Sequence, residues 1–230
     1  MAFDILPMTE SDLSAFLSIQ HAAFTTGLAS LLFSGRPTPT HTASLLSKYT
    51  TAFHDANTYF LKAVDTATGE IAAAAKWIIY RHPRSEEDVE RAWRDKRTVE
   101  ELREDDPDKD RRNIEAERAF MAYLADARRD TMGTQPHYLL NILITHPTHY
   151  RRGAGAALLR WGVERADQDG LPVYLEASEM GKPLYARWGF EEVKETVFDL
   201  TKYGGEGVER NTVMVRPAGA QKPAENGVLN

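Results

Sequence analysis

Two glycines in the segment Tyr150-Arg151-Arg152-Gly153-Ala154-Gly155 could bind an anion through the backbone of the chain. The segment lies between an apolar run and a helical pattern, and the first N–H groups of a helix have no partner within that helix. These N–H groups and the helix dipole favour negative charge. Because glycine has no Cβ atom, Gly153 and Gly155 would let a phosphate approach the backbone. The segment therefore predicts an anion site at the start of a helix.

Three kinds of nucleotide site contain such a loop, and two of them conflict with the sequence. A P-loop has Lys and then Ser or Thr after its second glycine, whereas Ala156 and Ala157 follow here. A Rossmann motif needs a third glycine and a place after the first strand, and neither condition holds. The pyrophosphate of coenzyme A remains, and a tight turn without a ligand is the alternative.

A carboxylate stands in the next strand-like run, which is VYLEAS at residues 173–178. Because the side chains of a strand alternate between its faces, Glu176 shares a face with Tyr174 and Ser178 and points away from the aliphatic residues. Such a carboxylate could act as a general base, or it could be a structural charge near the centre of a sheet. No group of His, Asp and Glu has the spacing of a metal site, so we predict no metal.

The composition restricts the classes of function. The chain has 230 residues, 42% of them hydrophobic, and its net charge of -6 gives no footprint for nucleic acids or anionic membranes. It has no cysteine, which excludes disulfides and thiolate nucleophiles. The first residues lack a targeting pattern, and no run approaches the ~20 apolar residues of a membrane span. We expect a soluble cytoplasmic protein, with the nucleus as the alternative.

The hydrophobic pattern predicts seven strands, at about residues 3–6, 58–65, 71–80, 138–145, 173–177, 190–200 and 211–215. It predicts helices at about residues 9–24, 42–54, 155–167 and 183–188. The strand at 138–145 is almost wholly apolar, which favours a central place in the sheet. We expect these elements to form one domain over residues 1–216, followed by a disordered tail at 217–230.

Residues from about 82 to 133 differ from the rest of the chain. More than half of the residues from Arg84 to Asp130 are charged, with both signs mixed, and a proline among aspartates at 105–108 predicts a break between two helices. Two apolar stripes could dock these helices: Val89 with Trp93, and Ala116 with Phe120 and Leu124. We predict a helical insertion over a strand edge, and a solvated charged face without function is the alternative.

Two parts of the chain together resemble the GNAT superfamily of N-acetyltransferases. The runs LNILITHP at 140–147 and YRRGAGAALL at 150–159 resemble motif A of that superfamily. The runs LEAS at 175–178 and PLYARWGF at 183–190 resemble its motif B. The resemblance covers residues 138–198 closely and the order of the N-terminal elements loosely.

The resemblance implies a fold and a co-substrate. The fold is α+β, a mixed and mostly antiparallel sheet of about seven strands with helices on both faces, and the co-substrate is acetyl-CoA. In GNAT enzymes the fourth and fifth strands splay apart, and the free backbone of the fourth binds the pantetheine arm. Here that backbone belongs to Ile142, Leu143 and Ile144, whose N–H groups could also polarise the thioester carbonyl.

The resemblance also places the pyrophosphate on the glycine loop. It would lie on the N–H groups of Arg152, Gly153, Ala154, Gly155, Ala156 and Ala157. The side chains of Arg151 and Arg152 could add contacts to the phosphates, or they could be exposed for solubility. Tyr150 departs from the Gln or Arg usual at its position, but we expect binding through the backbone to persist. Ser178 takes the place of an asparagine that is common after the fifth strand.

The acid and base roles follow from the same resemblance. Tyr185 matches the tyrosine that GNAT enzymes commonly use as a general acid, and a phenol of pKa ~10 suits a thiolate whose thiol has a pKa near ~8.5. Its alternative role is packing. Glu176 is our candidate general base, because only about one part in a thousand of a lysine-like amine is neutral at pH 7. Since the chain has no cysteine, we expect direct transfer in a ternary complex.

The acceptor is predicted only as a class. We expect the primary amine of a small molecule, with an amine of a peptide or protein as the alternative and a non-catalytic acyl-CoA-binding module as the rival. Phe24, Phe33 and Trp77 could form an aromatic wall for the amine, although each is more often a core residue. Asn141 could bridge a water molecule to the amine.

Overall fold

The computed structural model describes residues 3–32, 38–93 and 113–220. Its first strand and helices are β1 (Phe3–Pro7), α1 (Leu13–Ala23), α2 (Gly27–Leu32) and α3 (Pro39–Phe53). The hairpin of β2 (Thr58–Asp65) and β3 (Ile71–Tyr80) follows. A capping box, in which the Thr9 side chain and the Asp12 carboxylate exchange hydrogen bonds with the backbone, precedes α1.

The second part of the chain contains the predicted glycine loop and motif segments. Its elements are α4 (Glu86–Trp93), α5 (Ile114–Thr131), β4 (His137–Thr145), α6 (Ala154–Asp169), β5 (Val173–Ser178), α7 (Lys182–Arg187), β6 (Glu191–Asp199) and β7 (Val208–Arg216). Gly170 ends α6 in the left-handed conformation, with φ of 66°. None of the helices in the described ranges combines the length and the apolar composition that a membrane crossing requires.

All seven strands belong to one open sheet, in the order β1-β2-β3-β4-β5-β7-β6. Only β4 and β5 pair in parallel among the described strands, and every other pair is antiparallel. The strand β4, which was predicted to be central, is the middle strand of the sheet. The mixed, mostly antiparallel sheet with helices on both faces is therefore confirmed.

Helices cover both faces of the sheet and build separate clusters of buried residues. On one face α6 packs Leu158, Leu159 and Val163 against Trp77 and Leu175. On the other face α1 lies over β2, β3 and β4, and Phe16 of α1 shares a buried cluster with Ile144 of β4. Farther along this second face, α5 covers Ile78, Leu139, Tyr174 and Val213. We call these two sides the α6 face and the α5 face.

The charged insertion is helical in its described parts, and α5 lies on the α5 face and reaches the edge strand β6, where Phe120 and Tyr123 contact Phe198. Ala127 in the last turns of α5 and Met132 just after the helix are buried on the face of the sheet. Ala116 and Phe120, from the predicted apolar stripe, pack with Leu28 of α2. The helix lies on the face because its buried stripe matches the apolar side chains of β3, β4, β5 and β7 there.

Some sequence-based predictions fall outside the described residues. They concern the helix break at 105–108, Phe33 and residues 221–230 of the tail. Residues 217–220, the first part of the tail, are described, and the Ala220 carbonyl accepts a hydrogen bond of 2.6 Å from Arg216.

Candidate functional site

The sheet opens between β4 and β5. The two strands pair only from Tyr138 with Val173 to Leu140 with Leu175. Beyond that point β4 continues to Thr145 and pairs with β3 alone, while β5 continues to Ser178 and pairs with β7 alone. The β5-facing backbone edge of Ile142, Leu143 and Ile144 therefore has no strand partner within the described residues. Free strand edges can bind an extended ligand through the main chain.

A β-bulge lies at the point where the strands separate. Lys76 of β3 is opposite Ile142 and Trp77 is opposite Leu140, so Asn141 is an extra residue in the register of β4. A bulge bends its strand and increases the local twist. The bend at Asn141 coincides with the end of pairing to β5. The sequence offered only a weak sign of it, a single Asn in an apolar run.

The glycine loop joins the end of β4 to the start of α6. Arg151 and Gly153 adopt positive φ angles of 62° and 92°, a conformation that favours glycine at the second position. The N–H of Ala157 donates to the carbonyl of Gly153 at 3.0 Å, which is the first hydrogen bond of the helix. The N–H groups of the residues before Ala157 therefore have no partner within the helix. A Cβ atom on Gly155 would lie 3.4 Å from Thr145 Oγ1, which shows how closely this turn approaches β4.

The side chain of Arg152 is bound within the protein. Its Nη2 donates to Asp65 Oδ2 at 2.5 Å, its Nη1 lies 2.5 Å from His149 Nδ1, and Asp65 is only 1% exposed. Hydrogen bonds from the Ala67 N–H and from Arg152 hold the pKa of Asp65 below its usual value. Arg152 thus fastens the loop to β2, whereas the side chain of Arg151 is exposed. Tyr150, at the start of the loop, is 39% exposed.

Tyr185 and Ser178 come together at the end of β5. Ser178 Oγ accepts a hydrogen bond of 3.2 Å from the N–H of Gly181, which closes the turn before α7. A Cβ atom on Gly181 would lie 3.0 Å from the ring of Tyr185, so this turn packs directly on the tyrosine. The ring lies 5.8 Å from that of Phe190, and Tyr185 is 8% exposed. Burial raises the pKa of Tyr185, which keeps the phenol protonated.

Glu176 lies on the α5 face and is paired with Arg128 of α5. Arg128 Nε donates to Glu176 Oε1 at 2.5 Å and Nη2 donates to Oε2 at 2.8 Å. Both side chains are about 5% exposed or less. Both oxygens of the predicted base therefore accept charge-assisted hydrogen bonds from Arg128. The assignment of Glu176 as base stays a prediction.

Sequence reasoning missed Arg128, although a signal was present. Arg128 continues the stripe of Ala116, Phe120 and Leu124 at the same spacing of four residues. The apolar pattern itself ends at Leu124, and a charged residue seldom lies on the buried side of a helix.

The predicted aromatic wall is not formed as expected. Trp77 is fully buried on the α6 face, and a Cβ atom on Gly162 would lie 2.2 Å from its ring. Trp77 is therefore a core residue, which is the alternative stated for it, and its side chain points to the face that α6 covers. Phe24 is partly buried beside α1 on the opposite face. Asn141, at the bulge, is partly exposed.

No protein-family model matches the chain. A stretch of 70 residues is 34% identical to a protein named acetyltransferase from Stachybotrys chartarum. That match covers 28% of this chain and 30% of the relative, so the chain matches less than a third of that protein's length.

Solved structures match nearly the whole chain. Arylalkylamine N-acetyltransferase 2 from Aedes aegypti superposes with a TM-score of 0.63 at 15% identity, covering 94% of this chain and 99% of that one. A histone acetyltransferase HPA2 and related acetyltransferase from Corynebacterium glutamicum gives 0.58 at 20% identity, over 96% and 99%. A GNAT superfamily phosphinothricin acetyltransferase from Sinorhizobium meliloti, in complex with AcCoA, gives 0.55 at 15% identity, over 99% and 96%. The chain has the fold of the GNAT acetyltransferases.

Proposed function

We propose that this protein is an N-acetyltransferase that moves an acetyl group directly from acetyl-CoA to a primary amine. The observation that carries the proposal is the joint geometry of two features. The opening between β4 and β5 leaves a free strand edge at Ile142, Leu143 and Ile144, and the open first turn of α6 lies against the end of that strand. A strand edge beside an anion site suits a ligand with an extended arm and a pyrophosphate.

The residues present fit acetyl-CoA as co-substrate. Gly153 has the left-handed backbone that the loop needs, and no atom lies within 4 Å of the point where its Cβ would stand. The N–H groups from Arg152 to Ala157 would bind the pyrophosphate, with the exposed Arg151 adding charge. The N–H groups of the β4 edge would bind the pantetheine amide and polarise the thioester carbonyl.

Tyr185 is the proposed general acid. It packs beside Ser178 at the end of β5, on the strand that borders the opening. Because burial raises its pKa, the phenol is a weaker acid than tyrosine in water, but it remains a hydrogen-bond donor at all ordinary pH values. A donor beside the departing sulfur would stabilise the thiolate as it forms and then transfer its proton.

Two roles are open to Glu176. As a general base it would accept the proton of the amine, which requires one oxygen to leave Arg128. As a positioning residue it would hold Arg128, and through Arg128 the helix α5, on the α5 face beside the opening. The geometry favours the second role, because both oxygens already accept charge-assisted hydrogen bonds.

The acceptor is proposed as a small-molecule amine. The fold alone does not select an acceptor. The test has two parts, calorimetric titration with acetyl-CoA and a panel of amines followed by the release of the CoA thiol. We expect micromolar or tighter acetyl-CoA binding and thiol release with at least one amine. Binding without turnover of any small or peptide amine would instead indicate an acyl-CoA-binding module, and failure to bind acetyl-CoA would overturn the proposal.

A further inference from the structure

Lys76 of β3 lies beside the opening on the α5 face. It is opposite Ile142 of β4, the first residue of the free strand edge. Its Nζ is 5.8 Å from the ring centroids of Tyr49 in α3 and Phe60 in β2, within the range of a cation–π contact. The side chain is half-buried. A cation is thus held against aromatic rings one strand away from the opening, on the face that α1 and α5 cover.

The ammonium of Lys76 has no anionic partner within hydrogen-bonding or ion-pairing distance among the described residues. By contrast, Lys62 on the adjacent strand donates to Asp12 Oδ2 at 2.7 Å. Two charged groups act on Lys76 from a greater distance: Arg128, and the exposed Asp55 after α3. Glu176 is already paired with Arg128, so among the described carboxylates Asp55 alone offsets the charge of Lys76, and it does so from beyond ion-pairing distance. Burial, with a smaller effect of Arg128, lowers the pKa of Lys76 to about 8.

A second cation on the same face, Arg84, is only partly satisfied by its partners. The Arg84 Cζ atom lies 3.8 Å from the ring centroid of Tyr80, which shares the α5 face of β3 with Lys76. Its Nη2 donates to the Gly133 carbonyl at 3.1 Å, but its buried Nε and Nη1 have no hydrogen-bond partner among the described residues. Asp88 acts on Arg84 only electrostatically, so neither Arg84 nor Lys76 forms an ion pair with a carboxylate among the described residues, and both would attract an anion.

Unpaired cations in partly buried places are costly unless an opposite charge or a strong hydrogen bond compensates them. Aromatic faces compensate Lys76 only in part. An anionic group that enters beside β4 would supply the missing partner, and it would place the rest of its molecule at the opening. The amine of that molecule could then reach the thioester.

We propose that Lys76 binds the carboxylate of the acceptor, so that the substrates are amines that also carry a carboxylate, of the kind found in amino acids. This inference rests on the acetyltransferase function proposed above. Lys76 selects the acceptor and takes no part in binding acetyl-CoA, whose proposed contacts are the loop and the free edge of β4.

The test compares matched acceptors that differ by one carboxylate: tyrosine with tyramine, phenylalanine with phenethylamine, and 4-aminobutyrate with butylamine. Thiol release gives kcat/KM for the wild type and for Lys76→Met. This substitution keeps an unbranched side chain that is one atom shorter and removes the charge. We expect the wild type to prefer at least one carboxylate-bearing member. For that acceptor, Lys76→Met should lower kcat/KM by roughly 10- to 100-fold, the usual effect of losing a charge-assisted hydrogen bond. The kcat/KM of the matched amine without a carboxylate should hardly change.

Two variants serve as controls. Lys76→Arg keeps the charge and should retain much of the preference, while Lys48→Met removes an exposed lysine of α3 and should change kcat/KM by no more than about threefold. Calorimetry with acetyl-CoA should give the same affinity for the wild type and Lys76→Met. A preference of the wild type for the neutral amines, or an equal effect of Lys76→Met on both members of each pair, would overturn the inference.

A binding measurement separates this inference from the acetyltransferase proposal. 3-Phenylpropionate and 3-phenylpropanol lack the amine, so their binding needs no turnover. We expect the carboxylate to bind the wild type more tightly than the alcohol does, and Lys76→Met to abolish the difference. If no amine reacts but this difference is found, the transferase proposal fails and the anion site stands. If the two proteins bind 3-phenylpropionate equally, the anion site is wrong, whatever the amine panel shows.

Discussion

Arg128 and Glu176 form a bidentate ion pair between a helix of the charged insertion and the strand that borders the opening. Both side chains are almost completely buried. A buried ion pair contributes little stability compared with apolar residues of the same size, but removing one partner leaves the other charge buried and alone. The insertion and the candidate site therefore depend on each other.

Replacing one member of the pair should be worse than replacing both. Arg128→Met should lower the free energy of unfolding by about 3–5 kcal/mol, because Glu176 loses its partner. The double variant Arg128→Met with Glu176→Gln should recover a large part of that loss. Urea unfolding of the wild type, the two single variants and the double variant measures the coupling. Additive effects on the free energy of unfolding would contradict the pairing.

Loss of the Tyr185 hydroxyl should affect the chemical step alone. Tyr185→Phe removes one oxygen from a ring that packs on the turn before α7, so folding and acetyl-CoA affinity should change little. The turnover number should fall by roughly 10²–10⁴, the usual contribution of a positioned acid. Thermal unfolding, calorimetry and kcat give the three readings. Turnover close to that of the wild type would leave Tyr185 with a packing role only.

The pH dependence of Glu176→Gln separates its two proposed roles. If Glu176 is the base, activity should fall most near neutral pH and recover at alkaline pH, where more of the amine is already neutral. If Glu176 positions Arg128, activity should fall by the same factor at every pH, whereas a loss of stability is expected for either role because Arg128 loses its partner. Profiles of kcat/KM against pH for the wild type and the variant, with unfolding curves at two pH values, give the answer.

The size of the side chain at position 155 should control acetyl-CoA binding. A Cβ atom there would make an ordinary contact with Thr145, at 3.4 Å, so Gly155→Ala should bind almost normally. The branched side chain of Gly155→Val would press on Thr145 and Leu143 and move the first turn of α6 from β4, which should weaken binding at least roughly tenfold. Calorimetry compares the three proteins, and equal affinities would contradict the placement of the pyrophosphate.

His137 should make the fold sensitive to acid. Its side chain is almost fully buried at the start of β4, with Nδ1 2.7 Å from the Gln135 carbonyl, and burial lowers its pKa from 6.5 to about 4. The unfolded chain takes up the proton first as pH falls, so this contribution is complete above about pH 6.5 and is lost between there and about pH 4. The loss should be on the order of 3 kcal/mol.

The check is the pH dependence of the unfolding free energy rather than its absolute value. His137→Gln keeps a polar side chain without a group that titrates in this range. Its stability should therefore fall less than that of the wild type between pH 6.5 and pH 4.5. Parallel curves for the two proteins would show that other groups cause the acid sensitivity.

The sequence predicted the strands and the larger helices well because their apolar periods are regular. The strand with Ile142, Leu143 and Ile144 was predicted to be central and is confirmed, since an apolar run suits a strand with helices on both faces. The helix after the glycine loop was predicted to start at Gly155 and begins at Ala154, next to the left-handed Gly153. The roles proposed for these residues in binding acetyl-CoA remain predictions.

The sequence did not reveal relationships that depend on the third dimension. The contact of Arg128 with Glu176 joins residues 48 positions apart, and the spacing that places Arg128 on the buried stripe of α5 does not indicate its partner. The sequence also does not indicate which face of the sheet Trp77 occupies, because β3 is apolar on both sides and lacks the alternation that would orient its side chains. The same lack of alternation hid Lys76, a single charge in an otherwise apolar strand.

The bulge at Asn141 reverses the orientation of every side chain that follows it in β4. Tyr138 and Leu140 point to the α6 face, and simple alternation would send Ile142 and Ile144 the same way. With the extra residue, Ile142 and Ile144 lie with α1 on the opposite face, and Leu143 turns toward α6. Removing Asn141 would exchange the side chains that β4 presents to its two faces beside the opening, so one residue of chain length sets which side chains would face the proposed acceptor.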